Sequence, residues 1–132
     1  MIADRIAVAL DGLDPRAALR LADDLGPAAR LFKVGPALFL RDGPAVIAGL
    51  HDRDKRVFLD LKFHDIPQTV AAAVAAAVAL GVSLLTVHAA GGRAMLRAAR
   101  AAVPEGAEPR LLAVTVLTSL DAATLREALA PT

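Results

Sequence analysis

The chain has 132 residues, of which 15 are Lys or Arg and 14 are Asp or Glu, so its formal net charge is only +1. This balance gives no sign of nucleic-acid binding or of a basic surface attracted to membranes. A hydrophobic content of 56% and the short length predict one globular domain spanning residues 1–132. The lack of cysteine excludes disulfides, thiolate nucleophiles and Cys-based metal sites, and is compatible with a reducing cytoplasm.

The sequence also gives no sign of export or of membrane insertion. The N-terminal segment carries Asp4 and Asp11 around a short apolar run, which differs from the basic and then apolar layout of a signal peptide. The longest apolar stretch, residues 70–82, has about 13 residues, whereas a bilayer span needs roughly 20. We therefore expect a cytoplasmic protein that binds a small soluble ligand.

Short β-like runs alternate with helical stretches five times along the chain. Strands are predicted at residues 6–10, 31–35, 56–62, 84–88 and 110–117. Helices are predicted at residues 15–25, 43–51, 67–80 and 93–103, with a last one after Asp121. Asp14 is the expected N-cap of the first helix, with Pro15 at its first position. Five successive βα units predict a parallel sheet with right-handed crossovers.

Two architectures fit this alternation. An open doubly wound sheet of five strands suits the length, because a (β/α)8 barrel needs roughly 200 residues or more. However, the first βα turn, which contains Asp11 and Gly12, has neither the G-x-G-x-x-G pattern nor a Walker lysine. The usual phosphate-binding signature of doubly wound folds is therefore missing.

Each predicted strand ends in a polar or ionisable side chain, about one βα unit apart. These residues are Asp11, Lys33, Asp60 with Lys62, His88 and Thr118. In barrels and in doubly wound sheets alike, ligands bind at the carboxyl ends of the strands. The pattern therefore predicts an active site at that edge.

The most informative group is Asp60, Lys62 and Asp65, together with Lys33 on the neighbouring strand. Strand alternation turns Asp60 and Lys62 to one face, and the same parity turns Lys33 towards them. An alternating array of two lysines and two carboxylates would keep all four groups ionised in a partly dry pocket. Only three of the 15 basic residues are Lys, which favours a compact proton-donating ammonium here. A structural ion pair is the alternative.

Five strings in this order carry a resemblance to a known family: residues 9–11 (ALD), 32–35 (FKVG), 58–67 (FLDLKFHDIP), 86–92 (TVHAAGG) and 117–119 (LTS). The chain resembles orotidine 5'-phosphate decarboxylases along essentially its whole length. The resemblance implies a (β/α)8 TIM barrel of which this chain contains only the first five βα units. It also implies the conversion of orotidine 5'-phosphate to uridine monophosphate (UMP) in pyrimidine biosynthesis, by a homodimer without a metal or other cofactor.

The resemblance assigns roles to particular residues. It implies that Lys33, Asp60, Lys62 and Asp65 form the charged catalytic array, with Lys62 as proton donor and Asp65 reaching into the partner subunit's site. The further substrate-binding residues would be Asp11 at the ribose, Thr118 at the pyrimidine, Ile66 and Thr69 at the shared dimer site, and His88. Taken alone, Asp11, His88 and Thr118 are equally compatible with structural roles at strand ends.

Three alternatives remain at this stage. A related sugar-phosphate decarboxylase or synthase would share the D-x-K-x-x-D array but use Mg²⁺, and the chain could also be an inactive half-barrel or an unrelated open sheet.

The family binds phosphate through loops that follow later strands than the five identified in this sequence. Because binding of remote substrate parts contributes to turnover, we expect a half-barrel to lose turnover as well as affinity.

Overall fold

The computed structural model describes residue 3 and residues 5–130, and its centre is a five-stranded parallel sheet. The strands are β1 (Ala7–Ala9), β2 (Leu31–Val34), β3 (Arg56–Phe63), β4 (Leu84–His88) and β5 (Arg110–Val114). The helices are α1 (Pro15–Leu25), α2 (Pro36–His51), α3 (Pro67–Ala79), α4 (Gly92–Ala101) and α5 (Ala122–Leu129). Short 3-10 turns follow α1 at Gly26–Ala28 and β4 at Ala89–Gly91.

Strand order decides between the two expected architectures. The sheet runs β1-β2-β3-β4-β5, so every strand pairs with its neighbour in sequence. A doubly wound sheet reverses direction at a switch point, whereas consecutive order with right-handed crossovers places successive helices on one face and curves the sheet into a barrel wall. The five units therefore match part of a (β/α)8 barrel, and the open doubly wound alternative is wrong.

The helix starts follow the sequence signals. Asp14 accepts a 2.8 Å hydrogen bond from the Ala17 N–H, which confirms it as the N-cap of α1. Asp121 caps α5 and forms a reciprocal capping box with Thr124. These side chains satisfy N–H groups that have no partner within the helix.

The second helix begins earlier than predicted. Gly43 and Pro44 predict its start, but α2 begins at Pro36 and continues through a kink at Asp42, where φ is −168° and ψ is 50°. Pro44 has no N–H to donate to the preceding turn, so the helix kinks just before this proline but does not end. Pro36, at the first helical position, is the start signal that the prediction overlooked.

The hydrophobic core lies between the sheet and the helices. From the strands, Phe32, Val57, Leu59 and Leu85 are 0 or 1% exposed, and from the helices so are Val46, Ile47, Leu50, Val70, Val74 and Met95. The opposite face of the sheet, which would line the barrel interior, carries the more polar side chains. None of the helices in the described part of the chain is long and apolar enough to cross a bilayer.

Truncation of a core leucine tests this packing. Leu59 is 1% exposed, and we expect Leu59→Ala to lower the free energy of unfolding by about 2 to 5 kcal/mol, because it removes buried methyl groups and leaves a cavity. Leu40 is 85% exposed, so Leu40→Ala, the same chemical change, should alter stability by at most about 0.5 kcal/mol. Urea denaturation followed by circular dichroism measures both, and equal losses would contradict the core assignment.

Candidate active site

A pocket of about 430 Å³ opens at the carboxyl ends of β2 to β5. Its lining residues are Lys33, Phe58, Asp60, Lys62, Thr86, Val114, Val116, Leu117, Thr118 and Ser119. Four residues selected from the sequence, namely Lys33, Asp60, Lys62 and Thr118, thus surround one cavity. The strand-end position agrees with the location of ligand sites in parallel sheets.

The charged side chains at this pocket form a continuous chain of ion pairs. Lys62 Nζ lies 2.9 Å from Asp60 Oδ1, and Lys33 Nζ lies 3.5 Å from Asp60 Oδ2. Lys33 Nζ also donates to Asp11 Oδ2 at 2.7 Å. The Asp60 side chain is only 10% exposed, whereas that of Asp11 is 53% exposed. Negative and positive charges therefore alternate along the series Asp11, Lys33, Asp60 and Lys62. The most buried of these residues, Asp60, lies between the two ammonium groups.

Strand β3 is irregular where it presents these groups. Its register against β4 shifts between Leu59 and Phe63, and Lys62 has a positive φ of 50°, a conformation that is uncommon for residues other than glycine. The Lys62 N–H donates to the Thr86 hydroxyl at 2.9 Å. Simple alternation along the strand therefore does not describe this segment, although Asp60 and Lys62 still reach one pocket.

Thr86 on β4 belongs to this cluster, and the sequence analysis did not select it. Its hydroxyl donates to Asp60 Oδ1 at 2.9 Å, and the residue is 4% exposed. A signal was available, because Thr86 lies two residues before His88 and so shares its face of the strand. Of these two residues, only the ionisable His88 is selected from the sequence.

Both buried charges are stabilised in their ionised forms. The hydrogen bond to Asp11 raises the pKa of Lys33 above its ordinary value, against the opposing effect of partial burial. Burial alone would raise the pKa of Asp60, but hydrogen bonds from Lys62 and Thr86, with the charges of Lys62 and Lys33, bring it below the ordinary value. Both shifts favour the Asp60 carboxylate and the Lys33 ammonium near neutral pH.

Gly35 leaves the space that Asp11 occupies. A Cβ atom at position 35 would lie 2.3 Å from Asp11 Oδ1, closer than real contacts allow. Gly35 follows β2 directly, two residues after Lys33. The glycine in the string FKVG thus permits the carboxylate of Asp11 to reach the ammonium of Lys33.

The remaining predicted residues lie outside this pocket. Asp65 accepts a 2.6 Å hydrogen bond from the Ile66 N–H and lines, with Ile66 and His64, a separate concavity of about 500 Å³. Thr69 is exposed in the first turn of α3. The ring of His88 lies 5.1 Å from that of His64, centroid to centroid. Within one chain, Asp11 rather than Asp65 is the second carboxylate of the charged array.

Fold and site together define a class: βα-barrel proteins with an alternating lysine and aspartate array at the carboxyl edge of the strands. The family model described as "Orotidine 5'-phosphate decarboxylase / HUMPS family" matches residues 4–132, and the chain belongs to this family. It is 55% identical over 129 residues to an orotidine 5'-phosphate decarboxylase of Moorella thermoacetica, covering 93% of this chain and 51% of the relative. The corresponding enzyme of Parasynechococcus marenigrum is 54% identical over 134 residues, covering 97% and 54%.

Solved structures support the same placement. The orotidine 5'-phosphate decarboxylase of Lactobacillus acidophilus superposes with a TM-score of 0.83 at 39% identity, covering 93% of this chain and 58% of that one. An uncharacterized conserved protein from Geobacillus kaustophilus gives 0.84 at 42% identity, covering 93% and 60%. The chain spans about half the length of the curated relatives it matches.

Gly35→Ala tests the contact between Asp11 and Lys33. The added methyl group displaces the Asp11 carboxylate, so we expect the pKa of Lys33 to fall towards its ordinary value. Titration of the Lys33 ammonium by NMR measures the change. Gly49→Ala is the control, because the atoms nearest to its Cβ belong to the flexible side chain of Leu19, at 2.9 to 3.5 Å, and not to a charged group. An unchanged Lys33 titration in Gly35→Ala would contradict this account of the glycine.

Acid unfolding tests the pairing of Asp60. Because the folded-state pKa of Asp60 is lowered, its contribution to stability is complete above the unfolded value near 3.8 and is lost as the pH falls through the folded value. Lys62→Gln removes the ammonium that lowers this pKa. The increase in the free energy of unfolding as the pH rises from about 2 to 5 should therefore be smaller in this variant. Urea denaturation across that range checks it, and parallel stability curves for the two proteins would refute it.

Proposed function

We propose that the protein carrying this sequence decarboxylates orotidine 5'-phosphate to uridine 5'-phosphate, a step of pyrimidine biosynthesis. The observation that carries the proposal is the buried Asp60 between Lys62 and Lys33, at the carboxyl edge of a barrel sheet in a member of this family. The names of the relatives support the same reaction. The proposed location is the cytoplasm.

The proposed chemistry uses fixed charge. When the bond between C6 of the pyrimidine and its carboxylate breaks, CO2 leaves and the electron pair stays on C6. The Lys62 ammonium, held 2.9 Å from Asp60, stabilises this carbanion and then transfers its proton to C6. The neutral Lys62 amine regains a proton from solvent. The proposal includes neither a metal nor an organic electron sink.

Asp60 has two parts in this proposal. It holds the ammonium of Lys62 in place, and we propose that the carboxylate of the substrate binds beside it. Repulsion between the two carboxylates is relieved as CO2 leaves. This repulsion therefore raises the free energy of the bound substrate more than that of the transition state, which lowers the barrier. Lys33, paired with both Asp60 and Asp11, balances part of the negative charge of these two carboxylates.

The binding roles follow the positions of the residues. Thr118 lines the pocket and is proposed to hydrogen-bond the pyrimidine, while Asp11, at the exposed end of the array, is proposed to contact the ribose. His88, whose ring lies 5.1 Å from that of His64, is proposed as a further substrate-binding residue. Two open edge strands, β1 and β5, flank the sheet described here.

We further propose that the working form is a homodimer with shared active sites. Asp65, Ile66 and Thr69 are exposed and do not line the Lys62 pocket of their own chain. Ile66 is 64% exposed and lines the same surface concavity as Asp65. Contribution of these residues to a partner's site would cover Ile66 and add the carboxylate of Asp65 to the array.

Loss of absorbance of orotidine 5'-phosphate tests the reaction. We expect Lys62→Ala to lower turnover by on the order of a thousand-fold or more, because it removes both the stabilising charge and the proton donor. Arg97→Ala removes an exposed positive charge on α4 and is the matched control, with turnover unchanged. Turnover that does not depend on Lys62 would contradict the mechanism.

Two further measurements distinguish the proposed reaction from the Mg²⁺-dependent enzymes and from an inactive half-barrel. Turnover that EDTA abolishes would favour the Mg²⁺-dependent sugar-phosphate enzymes over the proposed reaction. An intact mass measured in parallel identifies the species tested. Absence of turnover in a protein of about twice 13.6 kDa would contradict the proposed function. Absence of turnover in a protein of 13.6 kDa would identify an inactive half-barrel.

A further inference from the structure

Thr86 lies at the centre of the cluster and uses its hydroxyl twice. The O–H donates to Asp60 Oδ1 at 2.9 Å, and the same oxygen accepts the backbone N–H of Lys62 at 2.9 Å. The residue is 4% exposed, so water has little access to replace either bond. A hydroxyl is the side-chain group that can both donate and accept from one atom.

The local backbone explains why such a group is needed. Between Leu59 and Phe63 the regular pairing of β3 with β4 is interrupted, and Lys62 adopts a left-handed φ of 50°. The Lys62 N–H is paired with a side chain of β4. A buried N–H without a partner is costly, so this bond favours the unusual conformation.

The resulting hydrogen bonds form a closed circuit. Lys62 is held at its backbone by Thr86 and at its ammonium by Asp60 Oδ1, and that oxygen is itself held by Thr86. Movement of any one group therefore disturbs the other two. Neither bond of Thr86 involves a substrate atom, which distinguishes its part from that of the charged residues.

We propose that Thr86 is a positioning residue, whose hydroxyl fixes where the Lys62 ammonium and the Asp60 carboxylate stand relative to each other in the pocket. This inference rests on the proposed decarboxylation and deepens it, because placement of the proton donor then depends on an uncharged residue. Misplacement of a reacting group by about 1 Å can cost on the order of a hundredfold in rate.

Three variants of the whole protein test the proposal. Thr86→Val keeps the branched shape but removes the hydroxyl, and Thr86→Ser keeps the hydroxyl but removes the methyl group. Thr115→Val makes the same change as the first variant at an exposed threonine directly after β5. Thr86→Ala serves in place of the valine variant if valine prevents folding, as judged by circular dichroism and thermal unfolding.

The first measurement is the ¹³C titration of the Asp60 carboxyl without substrate, which needs no activity. Thr86→Val removes one of the hydrogen bonds that lower the pKa of Asp60, so the pKa should rise, while Thr86→Ser and Thr115→Val should resemble the wild type. An Asp60 titration that is unaffected by Thr86→Val would overturn the proposal. Because this arm needs no turnover, a wild-type protein inactive on orotidine 5'-phosphate would overturn the proposed function alone.

The second measurement separates kcat from KM with orotidine 5'-phosphate. We expect Thr86→Val to lower kcat by about a hundredfold with a much smaller change in KM, and Thr86→Ser to recover most of the loss. A rate loss that serine does not recover would assign the effect to the methyl group and its packing, and would overturn the positioning role of the hydroxyl. A loss confined to KM would overturn it as well.

Discussion

The carboxylate of Asp60 imposes the strongest constraint on this molecule. Removing an ionised carboxylate from water costs several kcal/mol unless charges and hydrogen bonds compensate. Here the compensation comes from three donors, Lys62 and Thr86 at Oδ1 and Lys33 at Oδ2. Each donor belongs to a different strand, so β2, β3 and β4 must be aligned correctly for the charge to be tolerated. Formation of the site and formation of the sheet are thus one event.

The arrangement of charges depends on the absence of a side chain at one position and on an unusual backbone conformation at another. Gly35 allows Asp11 to approach Lys33, and the positive φ of Lys62 leaves an N–H that only a side chain reaches. Local strain is tolerated where the surrounding structure supplies enough compensating contacts. Around Asp60 that support comes from Leu59 and the outer face of the sheet, which are packed against the helices.

The alternation of elements and the polar strand ends were readable from the sequence because both depend on short-range periodicity and on the common edge of parallel strands. Strand order could not be read from periodicity, since it depends on contacts between distant segments, and only the family resemblance implied the barrel order that the structure has. The kinked start of α2 was misread because Gly43 and Pro44 resemble a helix start in isolation. The spacing from His88 indicates which face of β4 carries Thr86, but its hydrogen bonds to Asp60 and to the Lys62 N–H form only when β3 and β4 are side by side.

Lysine usage shows both the strength and the limit of such reasoning. The scarcity of Lys pointed to special positions, and all three have buried or partly buried partners. Lys33 and Lys62 meet Asp60, but Lys55 is 9% exposed and donates to the main-chain carbonyls of Gly26 and Ala29. A compact ammonium suits a carbonyl cluster as well as a buried carboxylate. Residue type therefore drew attention to two lysines that lie beside Asp60, while the environment of each lysine was decided by what the neighbouring strand or turn placed opposite it.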